Sequence, residues 1–66
     1  MYKRVYAEMA LHGWTKKDLA KRINMSYSTF LDKMSGRTSF TFDECIMIKQ
    51  VLESDLPLDD LFSHTL

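Results

Sequence analysis

Apolar and polar residues along this chain repeat with the period of a helix. Two runs with this period lie between Thr15 and Gly36, on either side of the break Asn24-Met25-Ser26. Their apolar positions are Leu19, Ala20 and Ile23, then Phe30, Leu31 and Met34. After glycine, Asn is the residue best suited to a positive φ, so the break predicts a turn. The segment is therefore predicted to form helix, tight turn and helix, with the start of the second helix projecting.

The same period predicts three further helices around this segment. An amphipathic first helix over 2–11 ends at Gly13, since glycine tolerates a left-handed C-cap. A fourth helix, from 42 to about 53, has an apolar stripe wide enough to be the central face of the core. Pro57 can begin a helix but cannot continue one, so a short fifth helix is predicted over 58–62.

Capping signals mark where the helices begin. Asp18 follows Thr15 by three residues and Glu44 follows Thr41 by three, the spacing at which two side chains cap each other's backbone amides. Ser26 precedes the second helix of the tight pair as an N-cap. These starts agree with the helices that the apolar period predicts.

Size and composition agree with a single domain over 1–66. At 66 residues, only about 60% of the unfolded surface is buried on folding, so the core has to be compact. An apolar fraction of 45% and a charged fraction of 27% are typical of a globular chain and not of a disordered one. We expect an all-α fold, a compact bundle of about five short helices.

Little in the sequence favours catalysis or metal binding. Cys45 is the only cysteine, so no internal disulfide forms, and no Cys/His spacing resembles a zinc site. His12 and His64 lie far apart and have no nucleophile or carboxylate arrangement beside them. No apolar run approaches the roughly 18 residues of a membrane span. We expect a cytoplasmic protein that is not an enzyme and that binds no metal, cofactor, membrane or small-molecule ligand.

Charge is distributed unevenly along a chain whose net charge is zero. Residues 1–38 contain eight basic and three acidic residues, a net charge of +5, whereas residues 39–66 contain one basic and six acidic residues, a net charge of −5. A molecule with one positive and one negative part has an electric field that orients it toward a polyanion even though its net charge is zero. The alternative is a solvated surface that happens to be polarised.

A set of short segments covering nearly the whole chain has a characteristic order. The segments are Thr15, Leu19-Ala20, Asn24-Met25-Ser26, Thr29-Phe30, Ser35-Gly36-Arg37, Phe40-Thr41-Phe42-Asp43-Glu44 and Leu58-Asp59-Asp60-Leu61-Phe62. This ordered set resembles the lambda-repressor-like family, the Cro/C1 (Xre-type) DNA-binding domains. The resemblance implies a lambda-repressor-like bundle in which helices 2 and 3 form a helix-turn-helix. It also implies a transcriptional regulator, a phage or prophage type of repressor, in the nucleoid of a bacterial or phage-infected cell.

In that family, residues just after the turn reach base edges. On this chain the resemblance assigns this role to Tyr27, Ser28 and Asp32, with Thr29 beside them. A helical wheel places Ser28, Thr29 and Asp32 opposite the apolar face. Tyr27 falls nearer the apolar side, so it either leans toward the DNA groove or packs on the end of helix 2. Asp32 either accepts from a cytosine amino group or pairs with Arg22 or Arg37.

Phosphate contacts are predicted from basic and hydroxyl residues around the same helix. Lys16 and Lys17 lie in the first turn of helix 2, where a positive side chain is locally unfavourable and makes sense chiefly if a phosphate is expected. The resemblance places Arg37 and Thr38 on the loop that clamps the DNA backbone. The predicted phosphate contacts are Lys16, Lys17, Ser26, Lys33, Arg37 and Thr38. Ordinary solvated charge is the alternative for the basic members.

The sequence departs from the family pattern at the end of helix 3. Many members have an aliphatic residue at the position of Lys33 and a polar residue at that of Met34, whereas here the apolar residue is displaced by one. We therefore expect the last turn of this helix to be rotated or repacked.

One reading helix contacts only a few base pairs, so useful affinity for operator DNA requires a homodimer on a two-fold site. The predicted dimer-face residues are Leu58, Phe62 and Leu66. Packing into the core is the alternative for Phe62 and for the neighbouring Leu61.

A second hypothesis is a protein-interaction module, an antirepressor or antitoxin-like partner that retains the fold without reading DNA. Zero net charge and an acid at Asp32 favour it. So does the absence of Gln, Asn and Arg among the residues expected to contact bases.

Overall fold

The computed structural model describes residues 2–63, and this part of the chain consists of helices and their connections. The helices are α1 (Lys3–His12), α2 (Lys16–Arg22), α3 (Tyr27–Ser35), α4 (Phe42–Leu52) and α5 (Leu58–Leu61). The predicted all-α bundle of about five short helices is confirmed. Where the sequence predicted bounds, the helix ends lie within one residue of them.

Hydroxyl side chains begin α2, α3 and α4 as predicted. At α2, the backbone N–H of Asp18 donates to Thr15 Oγ1 at 3.2 Å, and the Thr15 N–H donates to Asp18 Oδ2 at 2.8 Å. Thr41 and Glu44 close the same reciprocal pair at α4, at 3.1 and 2.8 Å. Ser26 caps α3 through its side-chain oxygen. Caps of this kind stabilise a helix by about 1 kcal/mol each.

Residues with left-handed backbone conformation (positive φ) end three of the helices and form the turn after α2. Gly13 ends α1 and Gly36 ends α3, with φ of 71° and 90°. Asn24 has a φ of 57°, as its position in the predicted turn required. Glu53 also adopts φ of 53°, which the sequence did not predict, and α4 therefore ends at Leu52.

All five helices contribute to one apolar core. Helix α1 packs on α4 and α5, α4 packs on α5, and α2 packs on α3. The fully buried side chains are Val5, Leu19, Phe30, Met34, Ile48, Leu52 and Leu61. Leu61 thus closes the core, which was the alternative to a dimer contact at this position. Cys45, predicted as a small buried residue, is only half-buried.

An aromatic cluster joins the two ends of the described chain. The rings of Tyr2, Phe40 and Phe62 meet edge to face, with centroids 5.3 to 5.7 Å apart. Phe30 reaches the same cluster from α3, its ring centroid 6.3 Å from that of Phe40. The loop before α4 is therefore fastened to the residues that flank the start of α1 and the end of α5.

Candidate nucleic-acid interface

The turn between α2 and α3 is held by its own backbone. The Met25 N–H donates to the Ala20 carbonyl at 2.9 Å, and the Asn24 N–H donates to the Lys21 carbonyl at 3.1 Å. Phe30 and Met34 anchor α3 in the core. Because these two side chains set the rotation of α3, its first turn lies at the surface.

The three base-contacting candidates at the start of α3 are exposed. Tyr27 is 41% exposed, and Lys17 Nζ lies 5.4 Å from the centroid of its ring. Tyr27 thus contacts the side of α2 through a cation–π contact and does not enter the core. Ser26 Oγ donates to Thr29 Oγ1 at 2.8 Å, whereas the Ser28 hydroxyl has no hydrogen-bond partner in the described part of the chain. Ser28 therefore offers a donor and an acceptor to a ligand.

Asp32 forms no ion pair with Arg22 or Arg37, which was one of the two roles that the sequence left open. Its carboxylate has no ion-pair partner within 4.0 Å among residues 2–63. Arg37 meets Asp32 only through its backbone N–H, which donates to the Asp32 carbonyl at 2.9 Å. Arg22 instead lies over Trp14, its guanidinium carbon 4.0 Å from the centroid of the ring. The half-buried Asp32 thus brings an uncompensated negative charge to α3.

A basic groove of about 390 Å³ runs between α2 and the start of α3. The residues that line it are Lys17, Ala20, Lys21, Asn24, Met25, Ser26 and Tyr27. Lys17 and Lys21 lie one helical turn apart on the same face of α2. For Lys21 the sequence left phosphate contact and ordinary solvated charge equally open, and the four-residue spacing from Lys17 is the signal that favours the contact. Asn24 was interpreted only as a turn residue.

Two further candidates for phosphate contacts, Lys16 and Arg37, come before and after the groove residues in the sequence. Lys16 is half-buried, with Nζ 5.3 Å from the centroid of the Tyr6 ring. Arg37 follows α3, and its exposed side chain has no ion-pair partner in the part of the chain that the structure describes. The backbone N–H groups of Arg37 and Thr38 both donate to the Asp32 carbonyl, at 2.9 and 3.4 Å. The loop is therefore fixed to the end of α3 while its side chains remain exposed.

Lys33 is occupied within the protein. Its Nζ lies 2.7 Å from Glu44 Oε1, and its side chain is 14% exposed. Burial raises the pKa of Glu44, but hydrogen bonds from Lys33 and from the Thr41 backbone N–H outweigh burial, so the pKa is lowered overall. Lys33 thus joins α3 to α4, and its ammonium is already paired with a carboxylate instead of being free for a phosphate. Met34, the apolar residue that follows Lys33, is buried in the core at the end of α3.

The predicted dimer-face residues have different surroundings. The Phe62 ring packs on Tyr2 and Phe40, which is the core role that the sequence left open. Leu58 is half-buried and lines a second groove, between α4 and α5. Leu66 lies outside the described residues.

His12 has a structural role. His12 Nε2 donates to the Leu52 carbonyl at 2.6 Å, and its ring stacks on Trp14 with centroids 4.2 Å apart. This contact joins α1 to the end of α4. Within residues 2–63, no three His, Cys, Asp or Glu side chains are grouped closely enough to hold a metal ion. None of the helices described there has the length and apolar character needed to cross a membrane.

Comparison of the chain with family models, with curated proteins and with solved structures found no match. The resemblance to the lambda-repressor-like family therefore stays a prediction. The observations from which function has to be argued are the exposed start of α3, the basic groove beside it and the loop that carries Arg37.

Proposed function

We propose that this protein is a sequence-specific DNA-binding regulator that inserts the first turn of α3 into the major groove. The observation that carries the proposal is the exposed start of a core-anchored helix directly beside a basic groove. Tyr27 and Ser28 are exposed at this start, and Lys17 and Lys21 line the groove. A helix presented in this way fits the major groove, which is about 12 Å wide.

Charge supports a phosphate at the basic groove. An anion bound there meets two ammonium groups, from Lys17 and Lys21, and lies near the first free amides of α3, the end of a helix that favours negative charge. Arg37 supplies a third cation from the other end of α3. The +5 charge of residues 1–38 adds a field that draws the same face toward DNA.

Each predicted base contact on α3 has a role that its chemistry fits. The Ser28 and Thr29 hydroxyls hydrogen-bond base edges, and the Tyr27 ring contacts a thymine methyl group or its hydroxyl meets a phosphate. The unpaired Asp32 carboxylate accepts from a cytosine amino group, and it repels guanine, whose major-groove edge carries only acceptors. Lys16, Lys17, Lys21 and Arg37 contact phosphates, with the Thr38 hydroxyl beside Arg37. The Ser26 hydroxyl, a predicted phosphate contact, already donates to Thr29 Oγ1, so it is not among these contacts.

The regulator acts as a homodimer on operator DNA, as a phage or prophage type of repressor does. One copy of α3 reads only a few base pairs, so two copies on half-sites about one helical turn apart are needed for useful specificity. Occupation of such a site blocks or recruits polymerase.

Selection of binding sites from random duplex DNA at moderate salt tests the proposal. We expect an enriched two-fold symmetric sequence. Ser28→Ala is expected to change which sequence is enriched, whereas Arg37→Ala is expected to weaken binding to all duplexes and to reduce the salt slope by about one per copy. No enriched palindrome, together with a monomer in sedimentation at the same concentration, would contradict the proposal.

The second candidate function is a protein-interaction module of the antirepressor or antitoxin-like type. The uncompensated Asp32 favours it, because a carboxylate on the reading face repels phosphates. The same selection separates the two functions, since the interaction module enriches no DNA sequence.

A further inference from the structure

The acidic part of the chain, residues 39–66, forms a second groove whose lining differs from that of the basic groove. It lies between α4 and α5 and has a volume of about 420 Å³. The residues that line it are Ile46, Lys49, Gln50, Glu53, Ser54, Asp55 and Leu58. Ile46 and Leu58 are half-buried and supply the branched apolar side chains of the groove.

Phe42 extends this apolar surface along α4. It lies one helical turn before Ile46, so the two side chains share a face of the helix. Phe42 is 70% exposed, and it is absent from the core and from the apolar side chains packed against the core. We call Phe42, Ile46 and Leu58 the apolar strip. A contiguous apolar strip with a polar rim is typical of an interaction surface, and a large aromatic side chain within it loses the most apolar surface to water when a partner covers it.

The rim of the apolar strip is acidic. Glu53 and Asp55 line the groove, and the exposed Asp43 and Asp59 are next in sequence to Phe42 and Leu58. Lys49 is the only basic residue in 39–66. Its Nζ donates to the Ser54 carbonyl at 2.6 Å, so its charge is held against the end of α4. A partner that approaches the strip therefore meets carboxylates.

We propose that the apolar strip docks a basic amphipathic segment of another protein, a helix with apolar side chains on one face and Lys or Arg beside them. Helices that bind in grooves do so through apolar residues at helical spacing, which match a strip formed along α4 and the start of α5. Lys and Arg at the edges of the segment pair with Glu53, Asp55 and Asp59 and suppress wrong partners.

Charge argues against the other occupants of this surface. A second copy related by a two-fold axis through the strip places its own acidic rim, with Glu53 and Asp55, against the same acidic rim, and like charges placed together cost several kcal/mol. DNA is repelled for the same reason. Leu58 was among the predicted dimer contacts; on this inference it contacts the partner segment instead, and the dimer proposed on DNA is not assigned to this groove. The inference therefore stands apart from the proposed function.

A selection of random displayed peptides against the full chain tests the docking site. We expect enriched peptides with apolar residues at helical spacing and flanking Lys or Arg. A synthetic copy of the best peptide, labelled for fluorescence anisotropy, is expected to bind at least about tenfold more weakly to Phe42→Ser. Leu11→Ser is the matched control, because Leu11 is 81% exposed on α1 and lies outside the groove; it is expected to leave binding unchanged.

A charge variant keeps the test independent of apolar packing. Asp55→Lys changes an exposed residue and is expected to weaken the same peptide, with the loss decreasing as salt is raised. DNA affinity is expected to be unchanged in Phe42→Ser, which separates this site from the one on α3. Enrichment of acidic peptides, equal binding to Phe42→Ser and Leu11→Ser, or no enrichment would overturn the proposal. So would a wild-type dimer in sedimentation that Phe42→Ser dissociates, because a second copy would then occupy the strip.

Discussion

Lys17→Gln and Lys33→Gln remove the same charge from neighbouring helices, yet the structure predicts different effects on DNA binding. Lys17 lines the basic groove with its ammonium near the Tyr27 ring. Lys33 is 2.7 Å from Glu44 and largely covered. Of these two lysines, only Lys17 is therefore expected to neutralise a phosphate, although both variants lower the net charge of the protein by one.

The size of the effect follows from the number of proposed phosphate contacts. Lys16, Lys17, Lys21 and Arg37 make four contacts per copy. At about 0.9 per contact, the slope of log K against log salt is about −3.6 for one copy and about −7 for a dimer. Lys17→Gln is expected to reduce the slope by about 0.9 per copy. If the variant and the wild type bind equally at 1 M salt, this difference in slope makes the affinity of the variant at about 0.1 M salt about eightfold lower for one copy and about 60-fold lower for a dimer.

Anisotropy titrations of a labelled duplex that carries the selected site measure the slope, at salt concentrations from about 0.05 to 0.3 M. Circular dichroism of each variant confirms that the helices are retained. Lys33→Gln is expected to keep the wild-type slope. If Lys33→Gln flattens the slope as much as Lys17→Gln does, the assignment of Lys33 to Glu44 and of Lys17 to phosphate is wrong.

Three further predictions concern stability. Phe30→Ala is expected to lower the free energy of unfolding by about 3–5 kcal/mol in urea titrations, because it empties a fully buried site, whereas Leu11→Ala at an exposed site is expected to change it by less than about 0.5 kcal/mol. Gly36→Ala is expected to lower the melting temperature, since its φ of 90° strains any residue with a Cβ even though no atom lies within 4 Å of the added carbon. Burial raises the pKa of Glu44, but its hydrogen bonds, above all that from Lys33, outweigh burial and leave the pKa of the folded protein below the ordinary value. The ionised carboxylate therefore stabilises the fold at pH values above its ordinary pKa, and this stabilisation is lost as the pH falls through the pKa of the folded protein. Thermal unfolding is expected to show a smaller loss of stability in Glu44→Gln than in the wild type as pH falls from about 5 to about 3; an equal loss in both would refute the role of Glu44.

Most of the helical architecture could be predicted from the sequence because its signals act over three or four residues. The pairs Thr15 with Asp18 and Thr41 with Glu44 lie within one turn, so their spacing is enough to identify a cap. Gly36 and Asn24 identify left-handed backbone through the conformational preferences of single residues. The end of α4 at Glu53 was missed, because a left-handed glutamate carries no such preference.

The candidate site was predicted less completely, since its members are joined by tertiary contacts. Lys17 and Lys21 share a helix face that the sequence displays, but the groove forms only where α3 packs against α2. For Tyr27, the helical wheel left two orientations open, and packing decided that the ring stays exposed beside Lys17.

The sequence by itself determined the number of helices, their starts and the opposite charges of the two halves, because these depend on composition and on near neighbours. The tertiary structure decided which charges remain available to a partner. Lys33 meets Glu44 eleven residues away on another helix, whereas Asp32 pairs with neither predicted arginine. Phe62 packs on Tyr2 at the other end of the chain. Such contacts depend on how helices pack, and no local spacing in the sequence encodes them.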